Sequence, residues 1–186
     1  MSDQAACRIL LIGMMGSGKS TIGRRLAAAT GWPYVDNDDL VVRATGMSSR
    51  ALVEARGEGP MRDAERAATT RALDEDPPLI VGIAAGAIVE ESLRRALRAG
   101  GFVVWLRAGS AALSARATRA GHRPFLQRGG AAWIAATNEE RAVLYASIAD
   151  LIIDTDTLRP RAAVDRILAA IARLDSCPPV RAAAPR

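Results

Sequence analysis

A chain of 186 residues, 49% of them apolar, suits one domain with a sizeable core, and its formal charge of +5 leaves it mildly basic. The first residues are too polar for a secretory signal, and no apolar run approaches the roughly 20 residues that span a bilayer. The arginines are scattered among only seven aromatic residues, with no basic run interleaved with stacking side chains, which argues against a nucleic-acid surface.

The expectation is therefore a cytoplasmic protein, a monomer, with small molecules rather than membranes or nucleic acid as partners. Cys7 and Cys177 lie near opposite ends without metal-ligand spacing and are expected to be reduced thiols.

In chain order, residues 8–12 (Arg-Ile-Leu-Leu-Ile) read as a short buried strand and 20–30 as a helix with apolar spacing. Between them stands Gly13-Met14-Met15-Gly16-Ser17-Gly18-Lys19-Ser20, a full match to the nucleotide-binding pattern G-x-x-x-x-G-K-[ST] in its required strand–loop–helix context. Its glycines let the backbone approach phosphates and aim N–H groups inward, and the positive end of the following helix favours the anion. Lys19 is the only lysine in the chain. A compact ammonium reaches between phosphates where a planar guanidinium fits poorly. Ser20 would offer a hydroxyl to Mg²⁺.

Further short apolar runs at 32–35, 79–81, 102–106 and 151–153 make five candidate strands with the first. They alternate with helical patterns near 48–74, 90–99, 110–119, 131–146 and 160–174, which predicts an α/β fold with a five-stranded parallel sheet covered by helices on both faces. Ligands then bind at the carboxyl ends of the strands. Residues 1–175 read as one domain, and the proline-bearing stretch 176–186 as a disordered tail.

Within Val35-Asp36-Asn37-Asp38-Asp39, alternate carboxylates at Asp36 and Asp38 would project from one side of an extended segment. Two functions are open to them, one holding Mg²⁺ through water and the other orienting a substrate hydroxyl. An aspartate-rich turn or a cap before a helix at Leu40 is the structural alternative.

From Gly13 to Ala27 the chain closely resembles the opening signature of the shikimate kinases, small P-loop kinases of the nucleoside-monophosphate-kinase fold. Tyr34-Val35-Asp36-Asn37-Asp38 is similar to that family's F-x-D-x-D, Gly57 to Glu65 to its G-E-x-x-F-R-x-x-E, His122 to Leu126 to the start of its lid, and Arg141 to Tyr145 to its R-x-x-L-Y. The resemblance spans roughly residues 8 to 172. It implies a three-layer sandwich with a mobile lid over about residues 112–130, ATP and Mg²⁺ as cofactors, and transfer of the γ-phosphoryl group to a hydroxyl of a carbocyclic acid, shikimate.

By the same resemblance, Gly13, Met14, Met15, Gly16, Ser17, Gly18, Lys19, Ser20 and Thr21 bind the phosphates, with Arg116 and Pro160 near adenine. Ser20 and Asp36 serve the metal. Asp38 holds the acceptor hydroxyl, Arg62 and Arg141 its carboxylate, and Arg123 closes over the transferred group, so that Lys19, Asp38 and Arg123 form the catalytic set.

Departures from the family pattern gather on the acceptor side. Gly82-Ile83-Ala84-Ala85-Gly86 stands where the family has three consecutive glycines lining the substrate, so two are alanine, and Gly82 replaces a serine near the metal. Met61 replaces a phenylalanine, Val41 and Val42 follow where I-E is usual, and Ser147 replaces a glutamate. Two further readings follow from these changes: a kinase of the same fold acting on another polyol such as a cyclitol or gluconate, and a non-catalytic ATP-binding relative.

Overall fold

The computed structural model describes residues 7–119 and 129–174, so the lid positions His122 and Arg123 and the tail from 176 lie outside the described residues. Strands β1 (Arg8–Ile12), β2 (Tyr34–Asp36), β3 (Leu79–Gly82), β4 (Phe102–Arg107) and β5 (Leu151–Asp154) pair in parallel in the order β2-β3-β1-β4-β5. The helices are α1 (Lys19–Thr30), α2 (Asn37–Thr45), α3 (Ser49–Arg56), α4 (Glu58–Asp74), α5 (Glu91–Gly100), α6 (Ser110–Arg119), α7 (Gly130–Ile148) and α8 (Pro160–Ile171), with a 3₁₀ turn at Ala87–Val89.

Alternation along the central strand builds two cores. Ile9 and Leu11 join Ile80, Val104, Leu106 and Ile153 under α1 and α8, where Ile22, Leu26, Val164 and Ile167 meet them. Leu10 and Ile12 face the other way, with Val81, Val103 and Trp105, against Leu40, Met61, Leu97, Leu113 and Tyr145 from the remaining helices. A strand buried on both faces reads as a continuous apolar run, which is why 8–12 was legible. The loops leaving β1 and β3 diverge toward opposite edges of the sheet, opening a crevice at their carboxyl ends. At the opposite ends, the buried Arg8 guanidinium donates to the Gly100 carbonyl (2.7 Å) and to that of Glu75, closing the floor of the sheet.

Two sequence expectations are corrected. The helical stretch 48–74 is two helices, because Gly57 at φ 85° ends α3, its N–H returning to the Val53 carbonyl at 3.0 Å, and begins α4. Residues 36–39 are not extended throughout: Asp36 caps α2, accepting from the Asp38 N–H at 3.3 Å, and Asp38 lies in the first helical turn. In addition, Cys7 is a disulfide cysteine rather than a reduced thiol, and with only two cysteines in the chain its partner lies outside the described residues. Among the described residues no helix is long and apolar enough to cross a membrane.

Asn37 fixes where α2 starts relative to α4. It is fully buried, and its side-chain carbonyl lies 3.0 Å from Thr69 Oγ1, whose single proton is shared between that oxygen and the Glu65 carbonyl 2.8 Å away. Asn37→Ala is expected to cost about 2 kcal/mol through the lost bond and the space left behind. A urea denaturation midpoint equal to that of the unaltered protein would remove Asn37 from this account.

Candidate active site

The loop between β1 and α1 is shaped by its glycines. Gly13, Gly16 and Gly18 have φ of 140°, 75° and 100°, values that L side chains rarely adopt, and a Cβ on Gly13 would lie 2.5 Å from the Leu106 carbonyl oxygen. Gly18 caps α1 without a side-chain hydrogen bond, so no side chain of the cap residue covers the first N–H groups of the helix.

Lys19 Nζ folds onto the loop, donating to the carbonyls of Gly13 (2.9 Å) and Met14 (3.1 Å), and no carboxylate among the described residues lies within ion-pair distance of it. Burial lowers its pKa to about 8, against the opposing fields of Asp38, Asp36 and Glu65. The Ser17 hydroxyl is buried without a partner among the described residues. A desolvated cation, an orphaned hydroxyl and a helix N-terminus in one loop are the elements of an anion site. Met14 contributes through its carbonyl, since its side chain is buried in the core.

Arg116 spans the loop and the segment after β5. Its guanidinium donates to the Gly16 carbonyl (3.2 Å), to Thr155 Oγ1 (3.2 Å) and to the Thr155 carbonyl (2.9 Å), and it pairs with Asp156 at 3.4 Å. Pro160 opens α8 just beyond that segment.

Beside the loop, Ser20 Oγ donates to Asp36 Oδ2 at 2.8 Å, and Tyr34 Oη donates to the same oxygen at 2.8 Å. A hydroxyl and a carboxylate are hard oxygen donors. The described residues hold no cluster of three or more His, Cys, Asp or Glu able to bind a metal alone. That donor set fits Mg²⁺, which keeps several waters and takes phosphate oxygens as further ligands.

Asp38 follows on α2. Its carboxyl is pushed up by burial and by Asp36, with Lys19 pulling the other way. Farther along, a cleft of about 370 Å³ is lined by Arg62, Glu65 and Arg66 of α4, Gly86 and Glu90 of the β3–α5 connection, and Arg141 of α7, among others.

Arg62 Nη1 is 3.4 Å from Glu65 Oε2 and occupies the space of a Gly86 side chain, where a Cβ would be 1.8 Å away. Arg141 Nη1 and Tyr145 Oη both donate to the Ala85 carbonyl, at 3.1 and 3.0 Å. Burial raises the Glu65 carboxyl, Arg62 and Arg141 oppose that shift, and Asp38 adds to it.

Lys19 thus lies in the fields of Asp36, Asp38 and Glu65, and Glu65 in those of Arg62, Asp38 and Arg141. Thr21 lies in the first turn of α1, beside Lys19 and Ser20. The two alanines of the altered triplet work through the backbone: Ala85 braces Arg141, Ala84 accepts from the Ala87 N–H, and neither is among the described residues lining the cleft. Among the described residues no non-glycine residue has positive φ, so neither alanine is strained.

Sequence reading passed over Glu65, Tyr34, Asn37 and Tyr145 as parts of the site. Glu65 carried a signal in its i,i+3 spacing from Arg62, whereas the Tyr34 contacts depend on two neighbours distant in sequence.

The shikimate kinase family model matches residues 15–172. The chain is 36% identical over 169 residues to a shikimate kinase from Paramagnetospirillum magneticum, covering 90% of this chain and 86% of the relative. It is 37% identical over 177 residues to one from Xanthomonas axonopodis pv. citri, covering 93% and 98%. The chain belongs to the shikimate kinase family.

A solved shikimate kinase from Acinetobacter baumannii, in complex with shikimate, superposes with a TM-score of 0.84 at 29% identity, covering 91% of this chain and 94% of that one. The P-loop kinase fold is therefore that of a shikimate kinase, and the family match takes in the loop after β1 from Met15 onward together with the residues that line the cleft.

Since the free protein's Lys19 has its pKa near 8, its ammonium is lost as pH rises through that value, and a phosphate group that needs it binds less well. Nucleotide affinity is expected to fall about tenfold between roughly pH 7 and pH 9, with proton uptake on binding. Calorimetric titration of ADP in buffers of different ionisation enthalpy measures both, and a flat profile would mean that the phosphates do not meet Lys19.

Proposed function

We propose that this chain transfers the γ-phosphoryl group of ATP to the 3-hydroxyl of shikimate, giving shikimate 3-phosphate. Membership of the shikimate kinase family supports the activity. The observation that carries the residue assignments is geometric: Arg62, Glu65 and Arg141 line one cleft, with Arg141 fixed on the Ala85 carbonyl just beyond β3, the strand paired with β1, whose loop holds Lys19. A cation for phosphates, a carboxylate for a hydroxyl and two guanidinium groups for an acid stand in sequence along the crevice.

In this reading Lys19 leaves the Gly13 and Met14 carbonyls and, with N–H groups of the loop, holds the phosphates. Ser20 and Asp36 would hold Mg²⁺ directly or through water, and the ion would offset phosphate charge. Asp38 accepts a hydrogen bond from the acceptor hydroxyl, orients its oxygen in line with the phosphorus, and takes its proton as the new oxygen–phosphorus bond forms and the bond to the leaving ADP oxygen breaks. Its raised pKa favours a proton acceptor over a spectator.

Arg62, seated on Gly86, and Arg141, braced on Ala85, grip the carboxylate from two sides, which selects an acid over a neutral cyclitol. Arg123 is assigned the lid role, neutralising charge that spreads over the equatorial oxygens while water is excluded. Arg116 and the segment ahead of Pro160 bound the adenine side. A monomer acting in the cytoplasm is the working state this reading assumes.

ADP release from Mg·ATP with and without shikimate tests the proposal, with Lys19→Ala beside it to exclude a contaminating kinase. Asp38→Asn is expected to lower kcat at least about a hundredfold while leaving ATP binding intact. Arg62→Leu is expected to raise the KM for shikimate at least about tenfold with a smaller change in kcat. Tight ATP binding with no shikimate-stimulated release would overturn the acceptor assignment. Unchanged turnover in Asp38→Asn would overturn the role of that carboxylate.

A further inference from the structure

Tyr34 and Asp36 lie two residues apart on β2 and therefore on the same face of the sheet. The Tyr34 ring lies against α1 at Gly23, where an added Cβ would meet Cε2 at 2.2 Å, Cδ2 at 2.6 Å and Cζ at 2.7 Å. Its hydroxyl lies over β3 at Gly82, where an added Cβ would be 2.6 Å from Oη but 3.4 Å from Cζ and 3.6 Å from Cε2.

Neither glycine has a positive φ, so the backbone does not require glycine at either position. The ring excludes a side chain at Gly23, and at Gly82 the hydroxyl alone does so, since ring-carbon distances of 3.4 Å and more are ordinary contact.

The phenol so lodged donates to Asp36 Oδ2 at 2.8 Å, the oxygen that also receives Ser20 Oγ, while Oδ1 receives the Asp38 N–H. Ser20 is itself a cation ligand in the proposed site, so its bond to Asp36 competes with metal binding. Tyr34 has no such second task.

We propose that Tyr34 is a positioning residue for the metal-facing carboxylate, wedged between two glycines so that its hydroxyl holds Asp36 whether or not a cation is present. Gly23, Tyr34 and Gly82 form one coupled unit drawn from α1, β2 and β3. The inference rests on the proposed metal role of Asp36.

The test is Mg²⁺-dependent tightening of ADP binding, measured by calorimetry on the full chain, together with thermal midpoints. Tyr34→Phe is expected to keep the Mg²⁺-free affinity for ADP and to need about three- to tenfold more Mg²⁺ for the same tightening. Gly82→Ala, whose methyl displaces the hydroxyl while leaving the ring, is expected to shift the Mg²⁺ requirement in the same direction and to lower the thermal midpoint. In the Tyr34→Phe background the same Gly82→Ala change is expected to leave the midpoint nearly unmoved.

Position 82 pairs directly with Asp36 in the parallel register, so Gly82→Ser combined with Tyr34→Phe should return a hydroxyl to the carboxylate and recover the Mg²⁺ dependence. A Mg²⁺ requirement unchanged in both Tyr34→Phe and Gly82→Ala would overturn the positioning role. An equal loss of midpoint from Gly82→Ala in both backgrounds would overturn the wedge. Absence of Mg²⁺-dependent tightening in the unaltered protein would instead overturn the metal role of Asp36, while the midpoints still report on the wedge. If Tyr34→Phe fails to fold, Gly82→Ala alone decides.

Discussion

Lys19 carries its charge into a loop where burial opposes it, and among the described residues its only close partners there are two carbonyls of the loop itself. Such an ammonium is an unfinished interaction: carbonyl oxygens hold it in place without neutralising it, and the neighbouring carboxylates act from beyond ion-pair distance. In the proposed reading an incoming phosphate would complete the pair and cover the start of α1, which no cap side chain covers. The demand for that arrangement propagates outward. Gly13 must be glycine both for its φ of 140° and for its approach to the Leu106 carbonyl, so the loop is seated against β4 as well as β1.

The acceptor side is tied to this loop through carboxylates whose protonation each affects the others. Asp36 raises Asp38, Asp38 raises Glu65, and Lys19 and the two arginines draw the set back toward the ionised form. In the proposed reading, an anion beside Lys19 would change the field at Asp38, and a carboxylate between Arg62 and Arg141 would change it at Glu65, so that each charge along the crevice bears on the next.

How much of this could be read beforehand varied with the range of the interaction. The five strands and the loop were legible because their signals are local: a continuous apolar run for a strand buried on both faces, and fixed glycine spacing for a backbone that must turn inward. Helix 48–74 was misread as one piece although Gly57, Gly59 and Pro60 punctuate it, and the φ of 85° at Gly57 shows where the break falls. The extended reading of residues 36–39 failed for a related reason, since Asp36 uses its side chain to start a helix where alternation suggested a strand. The contacts of Tyr34 resisted sequence reading, although the residue itself opens the segment similar to F-x-D-x-D. Its function depends on Gly23 and Gly82, distant in sequence, and a glycine that makes room for a hydroxyl looks no different from one that makes a turn.

The altered glycine triplet illustrates how substitution near a site can leave its chemistry in place. A methyl group matters only where something must occupy its volume. At Gly86 the Arg62 guanidinium does so, 1.8 Å from where a Cβ would stand, and glycine is retained. At Ala84 and Ala85 the carbonyls do the work, accepting from Ala87 N–H and from Arg141 and Tyr145, and a carbonyl is indifferent to the side chain beside it when φ stays negative. Met61, where a ring is usual, turns into the core. The groups that would meet a carboxylate are thus fixed by contacts the substitutions leave untouched, which favours an acidic acceptor over a neutral polyol even though the surrounding letters differ.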